Sequence, residues 1–188
     1  MGRSASTRQR LQAIALELFT EKGFDQVTVE EIAAASGVSH MTFYRNFPTK
    51  EAVVLDDPYD PLVAAAVVTQ DAKLSTLERV RLGVLEAFGQ LDEPEDRTVR
   101  QKIRLAADHA GLRARVWENN LRTEQVIVEA LRERGTPSLE AGVAAGAVLG
   151  ALTAALFDWA IDGAGGPLGE RIRLALSLLA PSPEGATK

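Results

Sequence analysis

The chain has 188 residues, 46% hydrophobic and 25% charged, with no cysteine and a formal net charge of −5. Such a length supports one or two small domains burying about two thirds of their unfolded surface, so no disulfide or metal staple is required. The absence of cysteine excludes disulfides, thiolate nucleophiles and cysteine metal sites, and fits a cytoplasmic location.

No apolar run precedes the first helical pattern, so no signal peptide is visible. The spacing predicts a helix over residues 4–22, with Ser4 or Ser6 near its cap and Leu11, Ile14, Ala15, Leu18 and Phe19 on its apolar face. Gly23 stops it. Thr28, with Glu31 three residues on, forms a capping box that opens a short helix. Gly37 supplies the left-handed residue that ends this helix, and Ser39 caps another running to about Phe47. Two short helices joined by a glycine turn form either a helix-turn-helix or an ordinary helical hairpin. Ile32, Ala33, Val38, Phe43 and Phe47 can close one small core. His40, Met41, Thr42, Tyr44 and Asn46 then remain on the other face, a set suited to base edges and phosphates.

The residues Ile32-Ala33, Ala35-Ser36-Gly37-Val38-Ser39 and Thr42-Phe43-Tyr44-Arg45-Asn46-Phe47-Pro48-Thr49-Lys50-Glu51 resemble the DNA-binding domain of TetR-family bacterial transcriptional regulators. The resemblance runs from about Thr7 to Val54. It implies an all-helical homodimer whose recognition helices enter adjacent major grooves of double-stranded operator DNA. His40 and Met41 would face bases, and Thr28, Thr42, Tyr44, Asn46 and Lys50 would hold phosphates. Val29 stands where some members carry a base-reading polar side chain, so base readout from the first helix of the motif is not implied. Charge placement agrees: residues 1–50 hold six Lys/Arg against five Asp/Glu, leaving 15 against 21 in the rest. A local cationic surface can bind phosphate while the acidic remainder disfavours the wrong face.

Pro48 ends the recognition helix and Thr49 recaps the chain for a fourth, with Glu51 in its first turn. From Asp56 to Pro61 two prolines and three acids form a linker, or else the acidic Tyr-Asp-Pro of a subgroup of these regulators whose C-terminal domain is associated with acyl-CoA-like ligands. Amphipathic segments follow. Residues 75–91 place Leu77, Val80, Val84, Phe88 and Leu91 on one stripe, and residues 95–110 place Val99, Ile103, Ala106 and Ala110 on another. Residues 112–134 carry Trp117, Leu121, Ile127, Val128 and Leu131 on a face that includes Asn120 and Glu124, which must find internal partners or meet a ligand. Phe88, His109, Trp117, Asn120 and Glu124 are the candidate ligand-binding residues, although His109 is more often a satisfied core histidine and Phe88 and Trp117 are most simply core aromatics.

Residues 138–162 are the most apolar. The uncharged run from Ala141 to Phe157 is marginal for a bilayer and Asp158 follows at once, so no membrane span is expected. Its small residues permit close helix approach, and with a last helix from Leu168 to about Leu179 it suits a dimeric four-helix bundle. The expected interface is Gly146, Leu149, Gly150, Thr153, Ala154, Phe157, Ile172 and Leu176. The fold class is therefore all-α: a helix-turn-helix DNA-binding domain over residues 1–54, a helical effector-binding and dimerisation domain over 55–180, and a disordered tail over 181–188. With His40 and His109 the only histidines and no nucleophile–base pair visible, no enzyme, metal or cofactor is expected. The expected function is a ligand-responsive DNA-binding regulator, in particular a repressor released by an apolar or amphipathic effector. The alternatives are a regulator without an effector and a helical enzyme or carrier.

Overall fold

A computed structural model describes residues 2–55, 60–89, 96–162 and 166–180. The described residues form helices and no strand: α1 (Gly2–Lys22), α2 (Val29–Ala35), α3 (His40–Asn46), α4 (Ala52–Leu55), α5 (Asp60–Thr69), α6 (Thr76–Gly89), α7 (Asp96–Asp108), α8 (Ala110–Arg132), α9 (Ser138–Asp162) and α10 (Leu168–Ser177). The side chains of residues 2–6, most of the acidic stretch and the tail lie outside the described residues, and with them the readings for Ser4, Ser6, Tyr59 and 181–188. Helix α5 was not anticipated as an element of its own. Pro61 falls in its first turn, where a missing amide costs nothing.

The chain divides into two compact units, residues 1–56 with 97–116, and residues 57–96 with 117–188. The N-terminal unit thus takes in residues 97–116, beyond the expected boundary at 54. Two polar ties show why: Gln101 Nε2 donates to the Leu16 carbonyl at 2.9 Å and to Thr20 Oγ1 at 2.7 Å. Here α1 packs on α2 and α4, and α2 on α3. Leu11, Ala15, Leu16, Phe19, Ile32, Ala33, Phe43 and Phe47 are buried together with Ala106, Ala107 and Leu112. Of the expected α1 face, Ile14 and Leu18 are only half-buried, while Leu16 joins the core.

In the C-terminal unit α6 packs against α5, α9 and α10. Gly83 sets the α5–α6 approach: a Cβ there would lie 2.6 Å from the Cα of Val67. Val67, Val80, Val84, Ile127, Leu131, Ala141, Ala145 and Val148 share one core with Ile172 and Leu176. By length and composition the segment Ser138–Ile161 could cross a bilayer, but 44% of its most apolar window is buried in the fold. Its contacts are those of a core helix packed on α6 and α10.

Candidate nucleic-acid interface

The recognition helix is positioned by caps at both ends of its turn. Thr28 Oγ1 accepts from the Glu31 amide at 3.2 Å while Glu31 Oε2 accepts from the Thr28 amide at 2.9 Å. Both bonds of the expected capping box are therefore formed. Beyond α2, Gly37 adopts φ 63°. This lets the Val38 amide reach the Ala33 carbonyl at 3.0 Å and the Gly37 amide reach that of Ala34 at 3.1 Å, a Schellman pair that ends one helix and aims the next. Ser39 then caps α3 by accepting from the Thr42 amide at 3.2 Å, and its hydroxyl shares a 2.9 Å bond with that of Thr42.

Buried Phe43 and Phe47 anchor one side of α3, so the helical period turns His40, Met41, Tyr44 and Arg45 outward. Met41 is 67% exposed and Tyr44 42%. The His40 ring stands edge-on to Tyr44 with centroids 4.8 Å apart, and its Nε2 lies 3.1 Å from Glu30 Oε1. Glu30 is held below its ordinary carboxylate value, first by a backbone amide at the start of α2 and further by His40. Arg45 was read in the sequence only as a charge. Its place four residues after Met41 was the available signal for the outward face, where it has no ion pair or hydrogen bond among the described residues.

Two of the expected phosphate contacts are turned inward. Lys50 Nζ donates to the carbonyls of Phe24 at 2.8 Å and Val27 at 3.0 Å, and sits 4.3 Å over the Phe24 ring. Two of its three protons are thus used to tie the loop before α2. Asn46 Nδ2 donates back to the Thr42 carbonyl at 2.7 Å, and Arg8 donates to the Asn46 carbonyl with its guanidinium 4.1 Å over the Phe47 ring. These groups fix the ends of α3 rather than project from it. Thr28 Oγ1 is taken up by its capping bond to the Glu31 amide, and the Thr42 hydroxyl by its bond with that of Ser39.

The five expected ligand residues are not brought together. His109 lies in the N-terminal unit, where its Nδ1 accepts from the Leu112 amide at 3.1 Å and its Nε2 meets Asp25 Oδ1 at 3.0 Å. Its ring packs 5.0 Å from that of Phe24, so it is a satisfied structural histidine. Trp117 is 51% exposed. Asn120 finds an internal partner, donating to Thr153 Oγ1 at 2.7 Å, and Thr153 passes its own proton to the Leu149 carbonyl at 2.9 Å. Glu124 is half-buried beside α9, 3.7 Å from where a Gly146 Cβ would stand. Phe88 is half-buried against the C-terminal core.

The residues of the expected interface differ in burial within the single chain. Leu149, Thr153, Ile172 and Leu176 are between 0% and 5% exposed within the single chain, because α9 and α10 use those faces on each other and on α6. Gly146, Gly150 and Phe157 are half-buried and Ala154 is exposed. The apolar side chains left uncovered are instead Leu139, Val143 and Ile161 of α9, with Leu174 and Leu178 at the end of α10.

A helix-turn-helix with a polar outward face on its second helix, followed by a separate helical unit, defines the class of helical DNA-binding regulators. Residues 13–56 match the family described as bacterial regulatory proteins, tetR family, and residues 74–183 match the MftR C-terminal domain. MftR of Mycobacterium tuberculosis is 28% identical over 114 residues, covering 60% of this chain and 57% of MftR. The nucleoid occlusion factor SlmA of Idiomarina loihiensis is 30% identical over 157 residues, 81% of this chain and 79% of SlmA. Among solved structures, that of the SmeT–triclosan complex superposes with a TM-score of 0.59 at 18% identity, covering 92% of this chain and 89% of SmeT. The chain belongs to the TetR family. It spans little more than half the length of MftR, and less of several other curated relatives.

Proposed function

We propose that the protein is a ligand-responsive transcriptional regulator that binds double-stranded operator DNA through α3 as a homodimer, and that it acts as a repressor. The observation that carries this reading is the outward face of α3, where His40, Met41, Tyr44 and Arg45 stand free of the core on a helix held by caps at its start. His40 and Met41 are offered to base edges, and Tyr44, Arg45, Thr28 and Thr42 to phosphates. Lys50 and Asn46 support that surface from within. Such a regulator works in the cytoplasm, where its operator is.

Dimerisation would bury the uncovered apolar side chains of α9 and α10, with open space at Gly150 and a small side chain at Ala154 permitting close approach. The triclosan complex of SmeT is of a protein with the same fold holding a small, largely apolar compound, and supports an effector of that kind here. Phe88, Asn120 and Glu124, half-buried in the C-terminal unit, are the residues offered to it, and acyl-CoA esters are the first compounds to test. An effector works only by binding the DNA-competent and DNA-free forms differently.

Fluorescence anisotropy on the DNA upstream of the protein's own gene tests the reading. A Tyr44→Ala/Arg45→Ala variant that stays folded should lose affinity for all sequences, with a salt slope lower by about one unit for the lost Arg45 contact. His40→Ala should change sequence preference by about 1–3 kcal/mol. Unchanged affinity in the double variant would overturn the assignment of this face.

A further inference from the structure

One buried charge in the C-terminal unit is left without a partner. Arg79, in the second turn of α6, is 7% exposed, and its Nε is buried with no hydrogen bond. None of its side-chain nitrogens has an ion pair or hydrogen-bond partner among the described residues. An arginine cannot escape this by losing its proton, as a buried lysine can. A buried guanidinium therefore calls for an anion.

The side chain opens onto a cleft of about 650 Å³ formed by the end of α5, the loop into α6, and the turn between α8 and α9. Arg134 lines the same cleft and donates to the Val68 carbonyl. Gln70, Thr76 and Thr136 supply further polar groups, and the N-terminal ends of α6 and α9 both contribute to the wall, adding their partial positive charge. Glu140 is the one carboxylate in the lining; it accepts from Thr76 and lies beyond ion-pairing distance of both arginines. Glu86 is engaged nearby by Gln70 at 2.7 Å. The lining therefore carries two cations against one anion.

We propose that this cleft is an anion site that receives the carboxylate or phosphate group of a small molecule against Arg79 and Arg134. The site is built from the C-terminal unit alone, and it stands or falls independently of the reading of α3. Its chemistry favours a compact, doubly hydrogen-bonding oxyanion, since a guanidinium presents paired donors that such a group accepts side by side.

The test is thermal unfolding of the full chain in a zwitterionic buffer at fixed ionic strength, with chloride exchanged in one arm for inorganic phosphate and in another for acetate. Wild type should gain at least about 2 °C at 10 mM of one probe, as expected for a ligand that binds only the folded state. Arg79→Gln should lose that gain and, without the probe, melt no lower than wild type, because it removes an uncompensated buried charge. A purely structural Arg79 would instead lower the melting temperature and leave the probe response intact. Tyr44→Ala/Arg45→Ala, which removes the cation of α3, should keep the wild-type response to the probe, which separates the cleft from phosphate binding on the recognition helix. Should Arg79→Gln fail to fold, Arg134→Gln must weaken the response and Glu140→Gln strengthen it several-fold. Equal responses in wild type and the cleft variants, or no wild-type response to either probe, would overturn the proposal.

Discussion

In the N-terminal unit Arg8, Gln12, Lys50 and Gln101 each send a polar head to a backbone carbonyl, those of Asn46, Val53, Phe24 with Val27, and Leu16. In the C-terminal unit, beside polar ties such as that from Asn120 to Thr153, the helices meet largely through small residues, with Gly83 against Val67 and Ala141, Ala144, Ala145 and Ala155 in the core. The difference follows from size. Helices of seven residues bury too little apolar surface to fix their own crossing, so directional bonds supply the orientation that packing supplies for a helix of 25 residues. The surface that must be held to a defined geometry for DNA is thus set by polar ties, and the larger unit by shape.

The sharpest break of this contrast comes from the small core itself. Phe43→Ala should destabilise the N-terminal unit by about 3–5 kcal/mol. Both tryptophans, Trp117 and Trp159, lie in the C-terminal unit, so their fluorescence should report an unfolding transition that no longer coincides with the one seen by circular dichroism. Coincident transitions would mean that the units do not unfold separately. Next in size, Gly83→Ala forces a methyl into the Val67 backbone and should cost about 1–3 kcal/mol, seen first in the tryptophan signal.

Lys50→Met keeps the apolar stem over Phe24 but removes two charge-assisted bonds, with an expected loss of about 1.5 kcal/mol for a half-buried donor. The salt slope of DNA binding should stay as in wild type. A slope lower by about one unit at unchanged stability would return Lys50 to the role of phosphate contact. The smallest effect is a pH dependence of the C-terminal unit. Hydrogen bonding and charge from Arg81 hold the Glu78 carboxyl below its ordinary value of 4.5, and those from Glu78 raise the Arg81 guanidinium in turn. The stability this pair contributes is fully present above that ordinary value and is lost as pH falls through the lowered one. Glu78→Gln should flatten the acid limb of a stability–pH profile measured by tryptophan fluorescence, and an unchanged limb would remove the pair from the ledger.

Much of the helix-turn-helix was legible because its signals are local: Thr28 and Ser39 as caps, Gly37 as the left-handed residue, and Ile32, Phe43 and Phe47 as core. The inward turn of Lys50 and Asn46 was not. Both are long or amide side chains whose direction depends on which carbonyls a neighbouring loop presents, and no spacing along the chain encodes that. The burial of α9 was illegible for another reason. Small residues lie on nearly every face of it, so periodicity could not say whether Leu149 and Thr153 meet other helices of the same chain or a second chain. His109 could be read either way until its partners Asp25 and Leu112 were known.

The tie from Gln101 to Leu16 and that from His109 to Asp25 join residues 85 and 84 positions apart. During synthesis, α1 to α4 leave the ribosome before residues 97–116 exist, and at about 5–20 residues per second the covering segment follows only some seconds later. Until then buried positions such as Leu16 and Phe24 lack part of their cover. The nascent chain therefore passes through an interval in which the first four helices can be drafted but not closed, and a slowing of translation between residues 56 and 97 would lengthen that vulnerable interval without altering the finished protein.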